Sequence, residues 1–304
     1  ERTIAAARRR KDAATIQNAQ RFLAVIASPD VDARRTAIAH AFRLMRVRDP
    51  LLLTAYYEPE LRAQPNPDEQ YRFPIYSRPP DLLDVDPAGL DASCQCRLQA
   101  GRIENERVVP YPARREIDAG ALAGRGLELA WTDDPFTLFS LHVQGSGQLV
   151  LPDGSRIAAR YAGTNGRPYK SLGRALIDRG YLDGGVTWDR IREVMGPLPE
   201  AERDDLFATN ERFTFFRLTQ GKATGSFGTE LVPERSVAVD PKLVPLGTIG
   251  YLVTPTTQRF VVAQDTGAAI REAHADLFLG GGPDAEGRAS RVKETGTLYL
   301  LMPR

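Results

Sequence analysis

The chain has 304 residues, 42% of them hydrophobic, with 40 basic against 39 acidic side chains and a net charge of +1. That is enough apolar material for one large domain or two of moderate size, while no apolar run approaches the roughly 20 residues of a membrane-spanning helix. The near-zero net charge lacks the basic excess or stripe of a nucleic-acid binder, and the densest basic run, "ARRRK" at 7–11, reads as the solvated face of a helix.

Residues 3–48 read as helix. "TIQNAQRFLAVIAS" and "DARRTAIAHAFRLMRV" repeat apolar residues every three or four positions, and Ser28-Pro29-Asp30 separates them. "LLLTAYYEPEL" (51–61) then reads as a strand that Pro59 ends, followed by a loop over 62–70. "YRFPIYSRP" is edge-like and interrupted by Pro74. Residues 80–135 mix turns with short helices, "ARREIDAGALAG" being one. The two cysteines, Cys94 and Cys96 in "SCQCR", lack the second pair of a zinc site and read as free thiols.

Strands return in "FTLFSLHVQGSGQLVLPDGSRIAARYAGTN", with a hairpin turning at Asp153-Gly154. A helix over 171–180 has Ser171 as N-cap and Gly180 as C-cap; others follow at 187–195 and in "PEAERDDLFATN". From Phe213 onward the chain is short strands and turns, the pattern of a small barrel with Asp265 at the mouth of one strand. A helical start and a β-rich end thus bracket a middle region with its own strands and helices, the pattern of an inserted domain.

Most catalytic chemistries are missing. Ser146 in "VQGSGQ" lacks the G-x-S-x-G spacing, and His40, His142 and His274 are the only histidines, which argues against a Ser-His-Asp site. There is no H-E-x-x-H, no C-x-x-C and no phosphate-cradling glycine loop, so no metal or cofactor is expected. Carboxylates remain. In "VVAQDTGAAIREAHADLFLG" (261–280), Asp276 stands beside Ala275, Leu277 and Phe278, surroundings that raise a carboxyl's pKa and suit it to protonate a glycosidic oxygen. Asp265, ahead of Thr-Gly, reads equally well as a turn cap. Tyr56, Tyr57, Gln144, Ser146, Tyr161, Thr164, Asn165 and Tyr169 sit at strand ends or in adjoining turns. Together they suggest a polar-aromatic surface for sugar rings.

The segments "LTAYYEP", "HVQGSGQLVLPDG", "RYAGTNGRPYKSLGRALIDRG", "RSVAVDPKLVPLGT" and "AQDTGAAIREAHADLFLG" resemble the membrane-bound lytic murein transglycosylase A (MltA) family, in family order from about residue 51 to the end. The resemblance implies a mainly β fold with α (α+β): a larger domain (1–59 and 205–304) with N-terminal helices and a double-psi β-barrel like that of family-45 endoglucanases and expansins. A smaller β-rich domain (60–204) is inserted, with a groove between the two. It implies non-hydrolytic cleavage of the β-1,4 bond between N-acetylmuramic acid and N-acetylglucosamine of peptidoglycan, leaving a 1,6-anhydro ring. Asp276 is then the acid and afterwards the base, with Asp265 polarising it. Thr54 and Asp240, in the matched segments, join Tyr56, Tyr57, Gln144, Ser146, Tyr161, Thr164 and Tyr169 as expected substrate contacts.

Peptidoglycan glycan strands, and other cell-wall enzymes, are the implied partners. The implied location is periplasmic, with outer-membrane attachment through a lipidated N-terminus that this chain does not display. Ala268 stands where the family's second glycine is expected. A hydrolase using Asp265 and Asp276 as a pair, or an expansin-like protein that binds glycan without cutting it, remain the alternatives.

Overall fold

The helical period of the opening residues gives three helices, α1 (Arg2–Arg9), α2 (Ala13–Ile26) and α3 (Val31–Ala41). The computed structural model describes residues 1–85, 100–267 and 269–304; the readings of Cys94, Cys96 and Ala268 fall outside the described residues. Asp12 caps α2 by accepting the Thr15 amide, and Asp30 caps α3 by accepting those of Asp32 and Ala33. Helix was expected to residue 48, but "FRLMR" is a strand, β1 (Phe42–Arg46). Pairing decides this: Phe42 lies opposite Pro303 and Arg46 opposite Tyr299 on the last strand of the chain. Tertiary context overrides a helical pattern there.

Strands β2 (Leu51–Glu58), β3 (Glu60–Gln64), β4 (Phe73–Tyr76), β5 (Leu83–Asp84), β6 (Ala100–Glu104), β7 (Arg107–Pro110) and β8 (Glu128–Thr132) follow, with a short helical stretch over 114–121. The expected strand over 136–144 is instead a helix, α4 (Pro135–Gln144). Its ends explain it. Asp134 accepts the Phe136 amide, Pro135 suits the first turn, and Gly145 at φ 79° stops the helix. β9 (Ser146–Val150) and β10 (Arg156–Thr164) form a hairpin across Asp153-Gly154. Then come α5 (Leu172–Asp178, capped by Ser171), α6 (Trp188–Met195), α7 (Glu200–Phe207) and β11 (Thr214–Thr219). The chain ends with β12 (Ser236–Val239), β13 (Ile249–Val253), β14 (Gln258–Asp265), β15 (His274–Gly281), α8 (Pro283–Ala289) and β16 (Lys293–Pro303).

These elements form two compact units: Glu1–Tyr57 with Lys222–Gly280 and Asp284–Arg304, and Glu58–Gly221 with Gly281–Pro283. In the first, strands run in the order β1-β16-β13-β14-β12-β15-β2, and a β16–β2 pairing closes six of them into a barrel. The length of β16 makes closure possible. Lys293–Gly296 pairs with β2, and Thr297–Leu300 pairs with β13. Phe22, Val25 and Ile38 of α2 and α3 pack on Tyr251, Phe260 and Val262 of the barrel wall. Helix α1 buries Ala6 and Ala7 against Phe227. Its basic run is only partly a solvated face, since Arg9 donates to the Gly228 carbonyl (2.6 Å) and Arg10 stands 5.1 Å over the Phe227 ring.

In the second unit the order β11-β10-β9-β3-β8-β4 places β4, with its Pro74, at an edge, as the sequence implied. A bridge between Ser77, just after β4, and Phe216 within β11 links the two edges. Leu61, Ala63, Ile75, Leu141, Leu149 and Phe216 are buried in its core, and α4 to α7 share a cluster around Phe139, Leu176, Met195 and Leu206. The chain returns to the first unit at Lys222 rather than at 205, because β11 is hydrogen-bonded along β10.

Arg160 and Glu58 form an ion pair with both side chains only 7% exposed. Arg160 also donates to the Gly221 carbonyl (3.2 Å), and Gln148 donates to Glu58 (3.1 Å). Removing one partner strands a buried charge, so Glu58→Ala is expected to lower stability by about 3–5 kcal/mol. Chemical denaturation of the purified variant measures this.

Candidate functional site

The site in the first unit is built by strand register. β12 runs between β14 and β15, and one residue, Ala238, is the partner of Asp265 on one side and Asp276 on the other. Register partners project to the same face of a sheet, so both carboxyls stand on one face with only a methyl group between them. Two strand steps separate their backbones by about 10 Å. On β2, Thr54 and Tyr56 are two residues apart and share a face; Thr54 reaches Asp276 and Tyr56 reaches Asp265.

Asp265 accepts four hydrogen bonds. Its Oδ1 takes the Ser226 amide (2.9 Å), the Ser226 hydroxyl (2.8 Å) and the Thr266 amide (2.9 Å), and its Oδ2 takes the Tyr56 hydroxyl (2.8 Å). Ser226 comes from a loop whose next residue, Phe227, donates its amide to the Gln264 carbonyl (3.0 Å). Arg9 of α1 and Arg10 just after it hold that same loop. Ser226 has no sequence signal of its own, because its role depends on a contact across 39 residues of chain.

Asp276 has a different environment. Its Oδ1 lies 2.7 Å from Thr54 Oγ1, which lies 2.8 Å from His274 Nε2; His274 Nδ1 is 3.3 Å from the Ala269 carbonyl. Burial pushes the Asp276 carboxyl up to about 6, the nearby charge of Asp265 adds to this, and the Thr54 hydrogen bond opposes it. Burial is the larger cause, in line with the apolar neighbours Ala275, Leu277 and Phe278 that the sequence places beside it. His274 was passed over as a catalytic histidine. Its signal was its place two residues before Asp276, which on a strand puts both side chains on one face.

Asp240, expected to meet substrate, is buried at the end of β12. Its Oδ1 accepts the Lys242 amide (3.0 Å) and its Oδ2 the Glu272 amide (2.9 Å), which holds it below its ordinary value and pins the loop leading into β15. Tyr57 is also buried. The other expected contacts belong to the second unit. There Ser146 lies opposite Arg160 in the β9–β10 ladder, next to Tyr161, and a Cβ placed on Gly145 would stand 3.9 Å from the Tyr161 ring. Gln144, Ser146 and Tyr161 are thus neighbours, with Tyr161 and Tyr169 both exposed.

Thr164, the last residue of β10, and Asn165, which follows it, are buried instead. Thr164 accepts the Gly166 amide (3.3 Å), and Asn165 donates to the carbonyls of Pro112 (2.9 Å) and Glu211 (2.8 Å). His142 is a buried partner of Arg114 (2.9 Å), and burial together with that guanidinium keeps its pKa well below the ordinary value. Among the described residues, no group of three His, Cys, Asp or Glu is placed to hold a metal ion, and no helix is long and apolar enough to cross a membrane.

Comparison with known proteins places these elements in a family. Residues 52–217 match the MltA specific insert domain, and residues 235–302 match the 3D domain. The chain is 29% identical over 83% of its length to a membrane-bound lytic murein transglycosylase A from Vibrio cholerae, and spans 65% of that relative. A solved membrane-bound lytic murein transglycosylase from Agrobacterium tumefaciens superposes with a TM-score of 0.84 at 32% identity, covering 96% of this chain and 85% of that one. E. coli MltA with bound chitohexaose gives a TM-score of 0.80 at 26% identity, covering 99% and 88%.

A carboxyl raised by burial destabilises the fold when it ionises. Asp276 is neutral in both folded and unfolded states well below its ordinary value of 3.8, and its contribution to stability is lost as pH rises through about 6. Asp276→Asn, which cannot ionise, is therefore expected to melt higher than the parent at about pH 8 and level with it near pH 4. Thermal unfolding of both proteins across that range checks this.

Proposed function

This chain belongs to the MltA family, and we propose on that footing that it is a lytic transglycosylase of peptidoglycan. It cuts the β-1,4 bond between N-acetylmuramic acid and N-acetylglucosamine without adding water. The observation that carries the reading is Asp276, a carboxyl pushed up to about 6 with a hydroxyl on one of its oxygens. A carboxyl in that range holds a proton near neutral pH and can also take one back, as a single acid–base group must.

In the first step the Asp276 proton passes to the glycosidic oxygen, and the bond from that oxygen to C1 breaks through an oxocarbenium-like state. In the second, the Asp276 carboxylate takes the proton of the muramic C6 hydroxyl as its oxygen bonds to C1. The anhydro ring closes and Asp276 is an acid again. Asp265, fixed by its four donors, supplies a negative charge close enough to favour the protonated form of Asp276. It also stands ready to offset positive charge developing on the sugar.

The barrel unit supplies this chemistry. Tyr161 and Tyr169 of the second unit offer exposed aromatic faces for sugar rings, and Gln144 and Ser146 are polar neighbours of Tyr161. Relatives named as membrane-bound lytic murein transglycosylases support a periplasmic site of action at the outer membrane, since mature peptidoglycan lies outside the cytoplasmic membrane.

Digestion of purified peptidoglycan tests the reading. Muropeptides lighter by one water than hydrolytic products are expected from the parent, with Asp276→Asn slower by about 10²-fold or more. Reducing-end products would assign the protein to the hydrolases. No products from the parent would leave an expansin-like binding role.

A further inference from the structure

One hydroxyl hydrogen at this site faces two acceptors. Thr54 Oγ1 is 2.7 Å from Asp276 Oδ1 and 2.8 Å from His274 Nε2. The His274 ring meets the Ala269 carbonyl at Nδ1, 3.3 Å away. A carbonyl only accepts, so a neutral ring carries its hydrogen on Nδ1 and leaves a lone pair on Nε2. Burial pulls His274 below its ordinary value, which keeps the ring neutral. Nε2 then takes the Thr54 hydrogen. A Thr54 lone pair is left facing Asp276 Oδ1, and at that distance the contact is favourable when Asp276 donates, which only its acid form does.

We infer that His274, acting through the Thr54 hydroxyl, is a positioning residue that holds Asp276 in its acid form in the free enzyme. The inference rests on the proposed acid–base role of Asp276. When the Asp276 proton leaves for the glycosidic oxygen, the Thr54 hydroxyl rotates, donates to the new carboxylate and gives up its bond to His274. When Asp276 recovers a proton from the C6 hydroxyl, the first arrangement returns. The lost Thr54–His274 bond makes the carboxylate a stronger base than Thr54 alone would leave it.

The ionisable surroundings are few. Asp265 stands on β14, Ala238 on β12 is uncharged, and Lys293 on β16 lies opposite Thr54. In the loop before β15, Arg271 and Glu272 are exposed, and Glu272 pairs with Arg48 (3.6 Å).

The pH dependence of kcat/KM on purified glycan strands reads the free enzyme's acid, and any effect of His274 on it should require the Thr54 hydroxyl. His274→Phe frees the Thr54 hydrogen for the carboxylate and should shift the basic limb to lower pH by about one unit. Thr54→Val removes the hydroxyl through which His274 acts, so adding His274→Phe to it should move the limb no further. Thr54→Ser keeps the hydroxyl and should match the parent. His274→Leu repeats the test should Phe disturb β15, with thermal unfolding confirming that each variant is folded. A limb that stays in place in the His274 variants, or that His274→Phe moves just as far in the Thr54→Val background, would overturn the inference while an inactive Asp276→Asn leaves the acid role standing. A fully active Asp276→Asn would overturn both.

Discussion

The site depends on one strand having two neighbours of opposite sense. β12 runs parallel to β14 and antiparallel to β15, and this brings Asp265, at the end of β14, and Asp276, within β15, to the same level of one sheet face. Barrel closure by β16 fixes the level of β2 as well, so Thr54 and Tyr56 arrive with one acid each. A side chain larger than that of Ala238 would stand between the two carboxyls. The local chain supplies the groups, and the topology decides that they meet.

The two aspartates then diverge through their surroundings. Asp265 has four donors and behaves as a fixed acceptor. Asp276 has, among the described residues, a single hydroxyl; it is poorly solvated and lies near another negative charge. Two residues of one type on one face thus have different surroundings, the usual way in which a protein separates a proton-transferring carboxyl from a charge-stabilising one. The cost is a carboxylate that weakens the fold when it ionises. The elements around it offset that cost. Asp240 pins the entry to β15 through the Glu272 amide, and α1 holds the loop that carries Ser226.

The sequence made the C-terminal strands, the hairpin at Asp153-Gly154, the Ser171 cap and the edge character of Pro74 legible, because each is set by turn chemistry or short-range periodicity. It also pointed to Asp276 through its apolar neighbours. Long-range pairing was out of reach. "FRLMR" carries a helical pattern but pairs with β16, and "PFTLFSLHVQ" looks β-prone but is closed at both ends by Asp134 and Gly145. Asn165 looked like a ligand because polar residues near turns resemble binding groups, and Asp240 because it lies in a segment that resembles the family, yet each satisfies backbone partners. Ser226, Ala238 and His274 drew no attention as site residues, since their meaning lies in register and in contacts between distant strands.

The most direct test of the account is the titration of Asp276 itself. Carbon-13 carboxyl shifts of an aspartate-labelled sample, followed by NMR against pH, give each carboxyl its own curve. Two aspartates are expected to inflect at about 6, the buried Asp118 of the second unit and Asp276, and only the signal of Asp276 should be absent from Asp276→Asn. An Asp276 that inflects in the ordinary carboxylate range would contradict the account, because such a group is almost wholly ionised at neutral pH and offers the glycosidic oxygen far fewer protons than one inflecting at about 6.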